Sequence, residues 1–262
     1  SILGIGSLVQ DRTFMDTIKT YPINVEVVTL RTYNITSGKL PAAATGSVTV
    51  KLNTSMVMLP KEPMQPRLAD ERVGFFQNPV TEFSDEQQVT SRGAIIQRYR
   101  LEPKDPERYR RGQLTEPKHP IVYYIDPATP KKWIPYLKAG VNDWNVAFEA
   151  AGFKNAIIAK EWPDDSTMSL DDARYSVLRY LPSETENAYG PRIVDPRSGE
   201  IMESHICWYH NVMNLLKKWY MVQCGPLDKR AQTMTFDDKL MGTLIQFVSS
   251  HEVGHAIGLR HN

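Results

Sequence analysis

The sequence predicts an α+β protein, in which a β-rich N-terminal region precedes a twisted mixed sheet packed with two long helices. Three observations carry that reading. The first hundred residues are dense in β-branched side chains, strands alternate with helical stretches after Pro120, and the C-terminal stretch carries an apolar stripe at helical spacing. With 41% hydrophobic and 23% charged residues, the 262-residue chain has a globular composition, and its length allows one large domain or two smaller ones. Lys and Arg total 31 against 30 Asp and Glu, a net charge of +1. A nucleic-acid partner is not expected, because such a binder shows a basic excess or stripe. No apolar run approaches the ~18 residues of a membrane span.

The strands can be justified in order. Residues 21–33 (YPINVEVVTLRTY) and 46–59 (GSVTVKLNTSMVML) are rich in Val and Thr and alternate in part, as antiparallel, half-buried strands do. Ser37, Gly38, Pro41 and Gly46 mark the loop between them, and Pro60, Pro63 and Pro66 close the second run. Gly4-x-Gly6 lacks a preceding strand and a third glycine, so it reads as a flexible terminus. Residues 93–101 (GAIIQRYRL) form a further strand. Four prolines among the nine charged residues of 102–120 then mark 103–120 as a linker, which makes 1–102 the N-terminal region and 121–262 the second domain.

Beyond the linker, residues 121–125 (IVYYI) form a short strand. Thr129 is the expected N-cap of a long helix with Pro130 at its first position. Ile134, Leu137, Val141, Trp144 and Phe148 give that helix one apolar face, and Gly152 stops it. Residues 156–162 and 175–181 are two more strands. Residues 192–194 and 201–207 form a hairpin around Asp195, Pro196, Arg197, Ser198 and Gly199. Val212, Leu215, Leu216 and Trp219 give helical spacing over 210–223. The last helix runs from Thr235, with Asp238 completing a capping-box-like start, to about Gly258.

The chemistry lies at the end of that helix. Residues 251–262 read HEVGHAIGLRHN and fit H-E-x-x-H-x-x-G-x-x-H throughout. Met241, Leu244, Val248, His251 and His255 follow one another at steps of three, four, three and four, so the histidines continue the apolar stripe. Helical residues four apart have Cβ atoms roughly 5–6 Å apart, so both imidazoles can reach one ion. Glu252 lies about 100° around the helix, close enough to act on a water at that ion. Zinc lowers the pKa of a bound water to about 7, and a carboxylate can then take its proton as it attacks a carbonyl carbon. Gly258 permits the positive φ of a sharp exit, and the turn returns His261 to the metal.

The motif resembles the long zinc signature of the metzincin clan of metallopeptidases. Together with VYYIDPATP, FEAAGFKNA and YGPRIVDPRSGEI, it makes the chain similar to large bacterial zinc-dependent metalloproteases, whose metzincin-type catalytic domain follows a β-rich N-terminal region. The likeness is loose over the whole chain and close over 121–262. It implies that 121–262 is the upper, N-terminal subdomain of a zincin-like catalytic domain, and that the activity is a zinc-dependent endopeptidase acting on peptide or protein substrates. It further implies that His251, His255 and His261 bind Zn2+, that Glu252 is general base and acid, and that the protein is extracytoplasmic. In such enzymes an edge strand pairs with extended substrate. Residues 201–207 are the candidate here, with Ile201, Glu203 and His205 as substrate-binding residues.

The family's Met-turn and lower subdomain have no counterpart among these residues, so the chain is expected to be a truncated piece of a larger enzyme. On that expectation His261 frays, and zinc is held weakly or through two histidines. Two other readings stay open: a non-catalytic zinc-binding or structural module, and a zinc hydrolase of non-peptide substrates. Weaker signals point to structure. His205, Cys207 and His210 read as a packing face before a second metal site, and Asp164, Asp165, Asp171 and Asp172 as a solvated loop before a calcium site. Cys207 and Cys224 read as free thiols.

Overall fold

A computed structural model describes residues 5–36, 44–165, 167–233 and 235–261. Of the positions expected to form the first loop, Ser37, Gly38 and Pro41 lie outside the described residues, as does Gly4. The fold is α+β, as the sequence predicts, and comprises two compact units: Ser1–Leu59 with Thr167–Ala173, and Pro60–Ser166 with Arg174–Asn262.

The first unit is an antiparallel meander of β1 (Ile5–Thr20), β2 (Asn24–Ile35) and β3 (Ser47–Val57) with β2 at its centre. The expected strands over 21–33 and 46–59 are β2 and β3, which pair without a slip from Asn24↔Val57 to Asn34↔Ser47. β1 is a correction, since Gly6 lies inside a strand and not in a flexible terminus. Its register against β2 shifts three times, which scrambles the two-residue alternation that marks a strand in sequence. One buried carboxylate is matched within this unit. Glu26 accepts from Asn24 Nδ2, Asn53 Nδ2 and Ser55 Oγ, each at 2.6 Å.

In the second unit, β4 (Gln77–Glu82) and β5 (Ser91–Ile96) form a hairpin. The strand expected over 93–101 is met only over 93–96, within β5, while β4 was hidden by its polar sequence and by Pro79. The proline-rich stretch 103–120 is ordered: α1 (Pro106–Arg110) is capped by Asp105, and Thr115 is buried. A five-stranded sheet follows in the order β7 (Ile157–Glu161), β6 (Ile121–Ile125), β8 (Ser176–Leu181), β12 (Ile206–Tyr209), β9 (Ala188–Tyr189). Its pairings are parallel except for β9, the antiparallel edge. Alternate residues of β6, Ile121, Tyr123 and Ile125, enter a core shared with Leu137, Val141, Leu178, Ile206, Trp208 and Val253.

The first of the two expected long helices is interrupted. A 3-10 turn at Lys131–Trp133 leads into α2 (Ile134–Asn142), and α3 (Asn145–Ala150) follows after a break. Thr129 caps neither helix, and its buried hydroxyl has no hydrogen-bond partner among the described residues. Side-chain bonds to backbone outcompete helix continuation at the break. Asn142 Oδ1 accepts from Ala159 N–H at 3.1 Å, Asn145 Oδ1 accepts from Ala156 N–H at 3.1 Å, and Asn145 Nδ2 donates to Ile157 O at 2.8 Å. α4 (Val212–Cys224) matches the expected helix closely. α5 (Asp238–Ala256) starts later than Thr235, because Asp237 is the N-cap and accepts from Leu240 N–H at 2.7 Å.

Candidate metal centre

α5 is seated before it presents any ligand. Ser249 Oγ donates to Leu137 O at 3.0 Å, and Trp144 Nε1 donates to Ser250 O at 2.8 Å. Gly254, inside the motif, is required by that indole, since a Cβ there would lie 2.7 Å from Trp144 Cζ2. The rigid helix end then places His251 and His255 on one face, as their spacing predicts. At Gly258 φ reaches +114°, and the chain turns back so that His261 joins them.

The three Nε2 atoms form a nearly equilateral triangle: 3.1 Å between His251 and His255, 3.0 Å between His255 and His261, and 3.1 Å between His261 and His251. His255 Nδ1 lies 2.8 Å from Leu259 O. A carbonyl only accepts, so Nδ1 carries the hydrogen, which leaves Nε2 as the nitrogen able to offer a lone pair toward the other two rings. One such lone pair cannot satisfy three close nitrogen pairs, whereas a cation can take all three. Four-coordinate zinc, with Zn–N bonds of roughly 2.0–2.1 Å, separates its nitrogens by about 3.3 Å, within a few tenths of the triangle's sides. Among the described residues no other set of three His, Cys, Asp or Glu groups converges in this way. His210 instead pairs with Tyr180, their Nδ1 and hydroxyl 2.7 Å apart.

The local electrostatics suit a metal. Burial holds the His251 pKa below the usual imidazole value, and the charges His255 and His261 would carry push the same way. Glu252, adjacent in sequence and 8% exposed, has its carboxyl raised by burial, with His255 pulling weakly against that. Two cavities of about 310 and 300 Å³ both reach His251 and His261. The first is lined by Glu252, Ala188 of β9, Leu215 and Trp219 of α4, and Phe247. The second runs past Trp144, Gly254 and Arg260.

Residues 233–262 match the family model described as Met-zincin, and residues 2–104 match one described as a domain of unknown function, DUF5117. No curated protein and no solved structure matches the chain. The C-terminal segment is metzincin-like. That makes it a module of the zinc metallopeptidase type, and the histidine triad is a donor set for the family's Zn2+. No helix among the described residues is long and apolar enough to cross a membrane.

The structure redraws the substrate side of this metzincin-like site. The stretch 201–207 is not a free edge, because it splits at His205 into β11 (Ile201–Ser204), paired with β10 (Arg192–Val194), and β12 inside the large sheet. The other flank of β11 is also used, with Ile201 N–H donating to Arg98 O and Ser204 N–H to Ser176 Oγ. Ile201 and Glu203 are 2% and 5% exposed, and His205 Nδ1 accepts from Val177 N–H, so none of the three lines the cavities at the triad. Of the two edges of the large sheet, β7 and β9, it is β9 whose Ala188 lines the first cavity, and β9 is two residues long and too short to show alternation in the sequence. The α4 stripe was legible, but its mixed role was not: Val212 and Leu216 are buried, while Trp219 stays 49% exposed at the cavity.

Proposed function

We propose that the chain carries the metal centre and one substrate wall of a zinc-dependent endopeptidase, with residues 121–262 as its catalytic part. The observation that supports this best is the convergence of three imidazole nitrogens beside a buried carboxylate. His251, His255 and His261 hold the ion. When bound, zinc supplies a Lewis acid that makes water a nucleophile near neutral pH. Glu252 takes a proton from the attacking water and passes it to the leaving amide nitrogen. Burial raises its pKa toward the working pH, which suits a group that must accept and then return a proton. The outer edge of β9 offers backbone groups to an extended peptide, and the cavity walled by Leu215, Trp219 and Phe247 receives an apolar side chain beside the scissile bond.

The test pairs zinc analysis of the purified protein with a fluorogenic peptide library. Glu252→Gln should keep stoichiometric zinc and lose roughly 10²–10⁴-fold in kcat, the usual worth of a general base. Unchanged turnover would sink the assigned mechanism. Stoichiometric zinc in the wild type without cleavage of any peptide would favour the non-catalytic zinc module.

A further inference from the structure

Gly74, Phe75 and Phe76 are remote in sequence from the histidine motif, yet they pair with the segment that carries His261. Arg260 N–H donates to Gly74 O at 2.7 Å and Phe76 N–H to Gly258 O at 2.8 Å, with an antiparallel bridge between Phe75 and Leu259. Phe76 is anchored in turn, its carbonyl accepting from Gln97 N–H at 2.8 Å, and the pairing runs on into the β4–β5 hairpin at Gln77↔Ile96. The turn abuts this hairpin so closely that a Cβ on Gly258 would lie 2.3 Å from Gln97 O.

Arg192 forms a second arm. Its guanidinium lies 3.9 Å from the Phe76 ring centroid, Nε donates to Gln97 Oε1 at 2.6 Å, and Nη1 donates to His255 O at 2.8 Å. That carbonyl stands at the C-terminal end of α5, where helical partners run out and the helix dipole favours a cation. Phe76 also meets the His255 ring edge-on, at 6.0 Å between centroids. Every handle of His255 is therefore held: its carbonyl by Arg192, its ring by Phe76, and its Nδ1 by Leu259, which Phe75 fixes. No residue of 74–97 lines either cavity at the triad, so the segment supports the site without covering it.

We propose that residues 74–97 are a strut of the metal centre, with Phe76 and Arg192 as positioning residues that set where His255 and His261 present their nitrogens. The inference rests on the zinc reading above and gives part of the region matched by the model of unknown function a role within the site. Outer partners of metal ligands commonly change metal affinity by about 10–100-fold.

The experiment measures zinc affinity by competition with a chromophoric chelator, together with the visible absorption of the cobalt-substituted protein and the melting of the metal-free chain. Phe76→Ala and Arg192→Met should each weaken zinc at least about tenfold and change the cobalt band. Arg192→Lys, which keeps the cation, should recover most of the loss. Val80→Ala, on β4 but outside this network, should leave affinity within about twofold. Folded Phe76→Ala and Arg192→Met proteins with wild-type zinc affinity and an unchanged cobalt band would overturn the strut. If Phe76→Ala does not fold, the two Arg192 variants decide. A wild-type chain that took up no zinc would instead refute the metal centre itself.

Discussion

Replacing Gly258 by Ala loads the hinge between the second and third histidines. The residue sits at φ +114°, outside the left-handed well that L residues tolerate, and its Cβ would lie 2.3 Å from a backbone carbonyl oxygen. The first strain costs of order 1–3 kcal/mol and the overlap about as much again. Because the facing atom is backbone and not a flexible side-chain tip, no local rotation relieves it. The turn either keeps its path and costs stability, or moves and carries His261 off the triangle. Metal-free melting and zinc competition titration together should show a combined loss of about 2–5 kcal/mol, each 1.4 kcal/mol of the metal share being tenfold in Kd. Gly112→Ala is the matched control. Its φ is +71° and an added Cβ would meet no atom of the described residues within 4 Å, so it should cost about 1–2 kcal/mol in melting and nothing in zinc affinity. If the two variants behaved alike, the close packing at the hinge would be refuted.

Protons should act on the site with opposite signs at neighbouring residues. His251 has a folded pKa below its unfolded value near 6.5, so its contribution to metal-free stability is present above that pH and is lost as the pH falls through the folded value. Urea midpoints between pH 5 and 8 should show the loss, and His251→Gln should flatten it. Glu252 has a raised folded pKa, so its contribution is present below the unfolded value near 4.3 and lost as pH rises. Glu252→Gln should therefore raise the metal-free urea midpoint at pH 7, and a fall would contradict the burial assigned to that carboxyl. Trp219→Ala removes a half-exposed wall of the apolar cavity, and should raise KM for peptides with a bulky apolar residue at the cut more than for those with a small one. Chelation should leave the far-ultraviolet circular dichroism unchanged, since the core of the second unit is built without the histidines.

What the sequence disclosed follows how local each signal is. β2, β3, β6, β7 and β8 were legible because each keeps a β-rich or apolar run of useful length. β1 was not, because its slips scramble the faces, and β4 was not, because Pro79 and polar neighbours mimic a loop. The unbroken apolar stripe from Ile134 to Phe148 spoke for one helix, and only Asn142 and Asn145, bonding to the backbone of 156–159 further along the chain, explain the two pieces. The three histidines were legible as a ligand set because helix spacing and one glycine turn bring them together, whereas the backbone pairing that holds the His261 segment was not. The edge strand was misplaced, because 201–207 has the composition of a strand but not the neighbours of an edge. Arg192, 63 residues from the carbonyl it caps, gave no local sign at all.

The site departs from local rules in one place and is compensated from several. Three imidazoles crowd within 3.1 Å, a carboxylate is buried beside them, and a glycine holds a conformation closed to other residues. Each would be relieved by letting α5 fray by one turn. Trp144 and Ser249 prevent that along the helix, and Arg192, Phe76 and the Gly74–Phe76 pairing prevent it at the exit. With the ligands restrained beforehand, little of a metal's binding energy would go into ordering the chain, which favours tight binding. The same restraint explains why fraying of His261 does not follow from its place beyond the helix: antiparallel backbone pairing, invisible to any reading of the motif alone, fixes the two residues before it.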